Sequence, residues 1–133
     1  MSYIQDIPKP ESFIYLASPY SSDRPVERAI RHLMAEAATA YIIIAGFPTY
    51  SPIVHGHRMS IDHGIDDQNI LWNSLNEPFI RACSELWVLM LDGWQDSKGI
   101  QWEVELAESL HTYIRYVYVA PDGQSILVMD GIE

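Results

Sequence analysis

The sequence holds a single cysteine, Cys83, so it can close no internal disulfide and build no thiolate zinc cluster. Basic residues are also scarce: eight against eighteen acids, for a formal charge of -10. Such a balance lacks the bulk attraction that a nucleic acid polymer or an anionic membrane surface requires, so neither is expected as a partner. A free nucleotide is not excluded, because a few local donors hold one phosphate against an unfavourable overall field. Long apolar runs are missing. The longest, from Ala40 to Ala45, is far short of a membrane span. The first residues, Met1 to Asp6, offer neither the basic cluster nor the apolar stretch of a signal peptide, so a cytoplasmic protein is expected. What is present is ordinary: 133 residues, 48% hydrophobic, with seven glycines and eight prolines, the make-up of one globular domain over residues 1-133 without internal repeats.

Residues up to Pro10 are polar with two prolines and read as an extended lead-in. Phe13 to Ala17 is a short apolar run halted by Ser18-Pro19, the pattern of a strand buried on both faces. Ser22 or Asp23 can cap a helix that Pro25 starts, and Val26, Ile30, Leu33, Ala37, Tyr41 and Ile44 then recur at helical spacing until Gly46 and Pro48. Pro48-Thr49-Tyr50-Ser51-Pro52 allows a very short second strand. Ile53 to Gln68 has no sustained period and reads as a long loop or lid. A second helix is expected from Asn73 to Cys83, a strand from Leu86 to Leu91, and a third helix from Ser97 to His111. Tyr113 to Ala120 reads as a further strand. Ser125 to Met129 reads as an edge strand after the turn Pro121-Asp122-Gly123.

Strands alternating with helices predict an α/β fold, a Rossmann-like three-layer α/β/α sandwich with a mainly parallel sheet of four or five strands. In such sheets ligands gather beyond the carboxyl ends of the strands, which singles out the loops Ser18 to Asp23 and Asp92 to Gly99.

Placing the third helix on a wheel at about 100° per residue puts Gln101, Glu105, Glu108 and Ser109 on a wet arc. Ile100, Trp102, Val104, Leu106, Ala107 and Leu110 share the opposite arc, and Glu103 falls in its middle. A carboxylate there must find donors or change its pKa. It is either satisfied by the helix's first turn or a nearby hydroxyl, or held at the edge of the core for chemistry. Ser97 and Gly99 stand where that helix begins, a place for ordinary capping or for an anion. No Gly-Lys-Ser/Thr follows a strand, so there is no P-loop.

His55-Gly56-His57, followed by Asp62-His63, invites a metal reading, but the spacing matches no standard zinc motif and no metal or other cofactor is expected. Of four tryptophans, Trp94 alone lies on a strand-to-helix loop, where it can offer a surface for base stacking. Cys83 falls on a helix with nothing to activate it.

Together these blocks are more specific than their parts. Ile14-Tyr15-Leu16-Ala17-Ser18-Pro19-Tyr20-Ser21, then Tyr50-Ser51-Pro52-Ile53, then Gly93-Trp94 with Ser97-Lys98-Gly99 and Glu103, resemble the nucleoside 2-deoxyribosyltransferase-like superfamily over about Phe13 to His111. The resemblance is nearest to a small, uncharacterised bacterial and phage family. It implies a Rossmann-like fold cleaving the N-glycosidic bond of a nucleoside or nucleoside 5′-monophosphate, with Glu103 at the nucleophile's position and Tyr15 at its tyrosine partner's. It further implies Ser97 near a 5′-phosphate, Ser18 and Ser21 in the adjoining loop beside Tyr20, and His55 and His57 as base contacts or acid. Active sites completed by a neighbouring subunit imply a homo-oligomer, dimer or tetramer.

Relatives place an aspartate before the central strand to protonate the departing base. The matching residue here is Asn76, beside Glu77. An amide donates no titrating proton. Either Glu77, Asp92 or the histidines replace it, or base exchange is lost and hydrolysis is favoured over transfer. Two other readings stand beside the glycosidase: a module of the same fold that binds nucleotides without turnover, and a metal-dependent hydrolase built on the histidines.

Overall fold

The computed structural model of the chain describes residues 1–65, 69–122 and 125–130. Gln68 and Gly123, the ends of the expected loop and turn, lie outside them. The fold is α/β: among the described residues, four α-helices accompany a mixed, mostly parallel six-stranded sheet. In chain order come β1 (Ser2–Tyr3), β2 (Ile14–Ala17), α1 (Pro25–Ile44), β3 (Thr49–Tyr50), α2 (Pro52–His63) and α3 (Asn69–Ala82). Then follow β4 (Glu85–Leu89), α4 (Lys98–Ser109), β5 (Tyr113–Val119) and β6 (Ile126–Met129). The strand order is β1-β6-β5-β4-β2-β3, with β3, β2, β4 and β5 parallel and β6 and β1 antiparallel.

Four expectations are corrected. Among the described residues the sheet has six strands rather than four or five. The extra one comes from the lead-in, where Ser2 pairs with Val128 and Tyr3 with Leu127. That pairing makes β6 an interior strand, not an edge. The expected loop from Ile53 is helical as far as His63. Its signals are local: the Ser51 side chain accepts from the Val54 amide, Pro52 opens the first turn, and Gly64 ends the helix at φ 61°. At α1 the N-cap is Arg24 without a side-chain cap, whereas Ser22 Oγ accepts from the Arg24 amide.

The pleat sends alternate residues of β2 into two different apolar clusters. Ile14 and Leu16 join Ala38 and Ile42 of α1, with Trp87, Leu89 and Val117 from the neighbouring strands. Tyr15 and Ala17 join Ile80 of α3 and Ile100 and Ala107 of α4, with Leu86 and Val88. This parity matters for function, because it aims Tyr15 at the helix that carries Glu103. The buried side of α1 is Ala35, Ala38, Thr39 and Ile42, of which Ala38 and Ile42 join the cluster with the strands. The larger apolar residues that mark α1 in the sequence face solvent instead: Val26, Ile30, Leu33 and Ile44 are all exposed.

Candidate functional site

Glu103 sits on the buried stripe of α4, 6% exposed, between Ile100 and Ala107 of the same face. Tyr15, wholly buried on β2, donates its hydroxyl proton to Glu103 Oε2. Among the described residues, Oε1 accepts no hydrogen bond, and Glu103 lines an open cleft. Burial pushes the Glu103 carboxyl up to about 8, and the Tyr15 hydrogen bond pulls the other way. Burial likewise lifts Tyr15 well above its ordinary value, with the charge of Glu103 adding to it, so the phenol stays a donor. Tyr50, its ring 5.7 Å from that of Tyr15, is pushed up to about 12 by burial and then by Glu103.

The cleft encloses about 640 Å³, its open mouth included. Three chain segments with different origins meet there. The loop after β2 contributes Ser18, Tyr20 and Ser21, and the start of α4 contributes Ser97 and Gly99 beside Glu103. These are the two loops expected from the carboxyl ends of the parallel strands. The third contribution comes from α2 and α3, with Gly56, His57 and Ser60 on one and Trp72, Asn73 and Asn76 on the other. Ser97 caps α4, its Oγ accepting from the Ile100 amide at 3.2 Å. Arg31 of α1 holds the first loop from behind, donating to the Ser21 carbonyl at 2.8 Å, and Arg28 donates to that of Ser22.

Two polar groups in the cleft have distinct electrostatic settings. Ser18 is 5% exposed, and its Oγ is buried without a hydrogen-bond partner among the described residues. Such an orphaned hydroxyl costs free energy until something supplies a partner. His57 shares a 2.7 Å hydrogen bond between its Nδ1 and the Tyr20 hydroxyl, and its ring stacks on His32 at 4.1 Å. Burial lowers its pKa first, then His32, Arg58 and Arg28, so it is neutral near pH 7.

Not every expected site residue reaches the cleft. His55 lies against Tyr50, ring centroids 5.8 Å apart, and is not part of the lining. Glu77 forms a surface ion pair with Arg81 at 2.9 Å. Asp92 is also outside the lining; its backbone carbonyl faces Arg31. Trp94 packs on Tyr116, centroids 5.6 Å apart, on the cluster under α4. The indole in the cleft is that of Trp72, which lies against Gly56, where a Cβ would come within 3.0 Å of the ring. Trp72, Asn73 and Ser60 carry no distinguishing motif, and a helical wheel of α3, placing Trp72, Asn73 and Asn76 together, is the one signal that groups them. Cys83 donates to the Ile80 carbonyl, and burial raises its thiol to about 11, which leaves it unreactive. Among the described residues, no three histidine, cysteine or acidic side chains are grouped to hold a metal ion, and no helix is long and apolar enough to cross a membrane.

Removing the Tyr15 hydroxyl isolates its electrostatic role. Tyr15→Phe should raise the Glu103 pKa above 8, since the hydrogen bond it loses favours the charged carboxylate. Carbon-13 NMR of the labelled carboxyl reads this directly as a titration midpoint displaced upward.

A family described as a domain of unknown function, DUF1937, matches residues 12–118, and the chain belongs to that family. No curated protein matches it.

Proposed function

We propose that this protein is an N-glycosidase that releases the base from a nucleoside or nucleoside 5′-monophosphate, with Glu103 as nucleophile. The observation that carries the reading is a nearly buried carboxyl in a cleft, one oxygen held by a tyrosine donor and the other unbonded among the described residues. In the reaction Glu103 Oε1 attacks the sugar's C1′ as the C1′–N bond breaks, and the bonding pair leaves with the base, which takes up a proton. Water then attacks C1′ of the glycosyl ester, returning the carboxylate and one proton and releasing the free sugar. Tyr15 keeps its proton throughout and orients Glu103. The fold proposed with this reading is the Rossmann-like three-layer sandwich, with the site at the carboxyl ends of its parallel strands.

Other residues of the cleft have roles consistent with this substrate class. The Trp72 indole is an apolar plane of the size a heterocyclic base needs, and Ser18, Ser21, Ser97 and the amides at the start of α4 supply donors for sugar or phosphate oxygens. Asn76 accepts from the Tyr50 hydroxyl at 3.2 Å, which leaves its amide nitrogen as a donor toward the cleft. It supplies no titrating proton, so hydrolysis is favoured over base exchange. The same feature, with a Glu103 that is mostly protonated at pH 7, favours the second reading, a module that binds nucleotides without turnover.

A panel of nucleosides and deoxynucleoside monophosphates, followed by chromatography for free base, separates the two. The glycosidase reading expects base release from at least one substrate and its loss, by a factor of about a thousand, in Glu103→Ala. Saturable binding with no free base across the panel would establish the binding module instead.

A further inference from the structure

The exposed face of α1 is apolar where a surface helix is normally charged. Val26, Ile30, Leu33 and Ile44 are 56, 51, 61 and 81% exposed, and at about 100° per residue they share one arc with Ala37 and Ala40. That arc carries no charged side chain. Glu36 stands at its border, 3.8 Å from His32. The opposite side of the same helix is buried, with Ala38 and Ile42 in the cluster that includes the sheet strands. Charged side chains of α1, among them Glu27, Arg31 and Glu36, keep to its flanks, so the helix has two apolar faces, of which one is covered within the chain.

We propose that a second copy of this chain covers it, the two α1 helices pairing antiparallel about a two-fold axis at the level of residue 35. The order of side-chain sizes along the arc is what selects this occupant. A two-fold at residue 35 sets Leu33 over Ala37 of the other copy, Ile30 over Ala40 and Val26 over Ile44. Bulk therefore meets hollow at both inner pairs, and each is made twice, as a self-complementary interface requires. At the helix ends charge agrees with the geometry. Antiparallel helices align their dipoles favourably, and α1 has no base in its own last turn. The pairing brings Arg24, its side chain 74% exposed, to that end of the other copy's helix. Arg24 and Val26 directly follow the loop carrying Tyr20 and Ser21, so the contact buttresses one wall of the cleft. The pairing holds whether or not Glu103 is a nucleophile.

Cysteine cross-linking in a Cys83→Ser background tests it. An oxidised mixture of Val26→Cys and Ile44→Cys chains should give a disulfide-linked dimer, whereas Val26→Cys alone should not, because the two copies of residue 26 lie about 27 Å apart along the axis. Sedimentation velocity should show a dimer for the unmodified protein. Leu33→Glu, which alters an exposed position, should shift it to monomer by at least about tenfold in dissociation constant, with an unchanged circular dichroism spectrum. A monomeric unmodified protein, a Leu33→Glu dimer, or cross-linking by Val26→Cys alone would each overturn the proposal.

Discussion

Glu103→Gln is expected to make the protein more stable while abolishing base release. The folded-state pKa of about 8 lies above the ordinary value of 4.5, so between those pH values the native state binds more protons than the unfolded chain. Stability therefore falls as pH rises through that window. At about 1.4 kcal/mol per pH unit, burying Glu103 costs roughly 3 kcal/mol at pH 7. Glutamine has the same shape, accepts the Tyr15 hydroxyl and never ionises. For a chain of this size the gain corresponds to a melting temperature roughly 10 °C higher at pH 7. It should shrink to nothing near pH 4.5 and grow towards pH 8. Thermal unfolding of both proteins across that range checks the slope as well as the sign. A glutamate retained at such a cost is explained by what its carboxylate does.

The second large effect is on rate. If the carboxylate of Glu103 is the attacking group, kcat/KM should rise roughly tenfold per pH unit below 8 and level off above it. A Glu103 that instead donated its proton to the leaving base would give the opposite limb, active below 8 and falling above. His57 does not confuse the assignment, because its pKa is displaced downward, below its ordinary 6.5. Activity that rises and levels off near 6 rather than 8 would place the controlling ionisation elsewhere than on Glu103.

How much of this was readable in advance differs from residue to residue, for physical reasons. Helical periodicity placed Glu103 among apolar neighbours on α4, and the structure buries it there. Periodicity could not say which hydroxyl would meet it. That depends on the pleat of β2 turning Tyr15, and not Leu16, toward α4. In α2, where histidines, glycine and polar residues interrupt the apolar pattern, the only marks were its ends, Ser51-Pro52 and Gly64. The two residues of β1 carry no strand signal of their own, since they gain their structure from β6, more than a hundred residues away. In α1 the period correctly announced a helix, but its buried side is mostly small, with Ile42 the large exception, and Val26, Ile30, Leu33 and Ile44 face outward, so hydrophobic size pointed to the wrong side. Trp72 and Trp94 are indistinguishable by composition. Only the packing of Trp94 on Tyr116 and of Trp72 over Gly56 separates them.

The most direct measurement is the mass of the protein after reaction with a nucleoside fluorinated at the sugar's C2′, which slows release of the sugar by destabilising the cationic transition state. Glu103 as nucleophile predicts an added mass of one fluorinated sugar, mapped to the peptide containing Glu103 and absent in Glu103→Gln. Free base released while Glu103 stays unmodified, or an adduct mapped to any other residue, would contradict it.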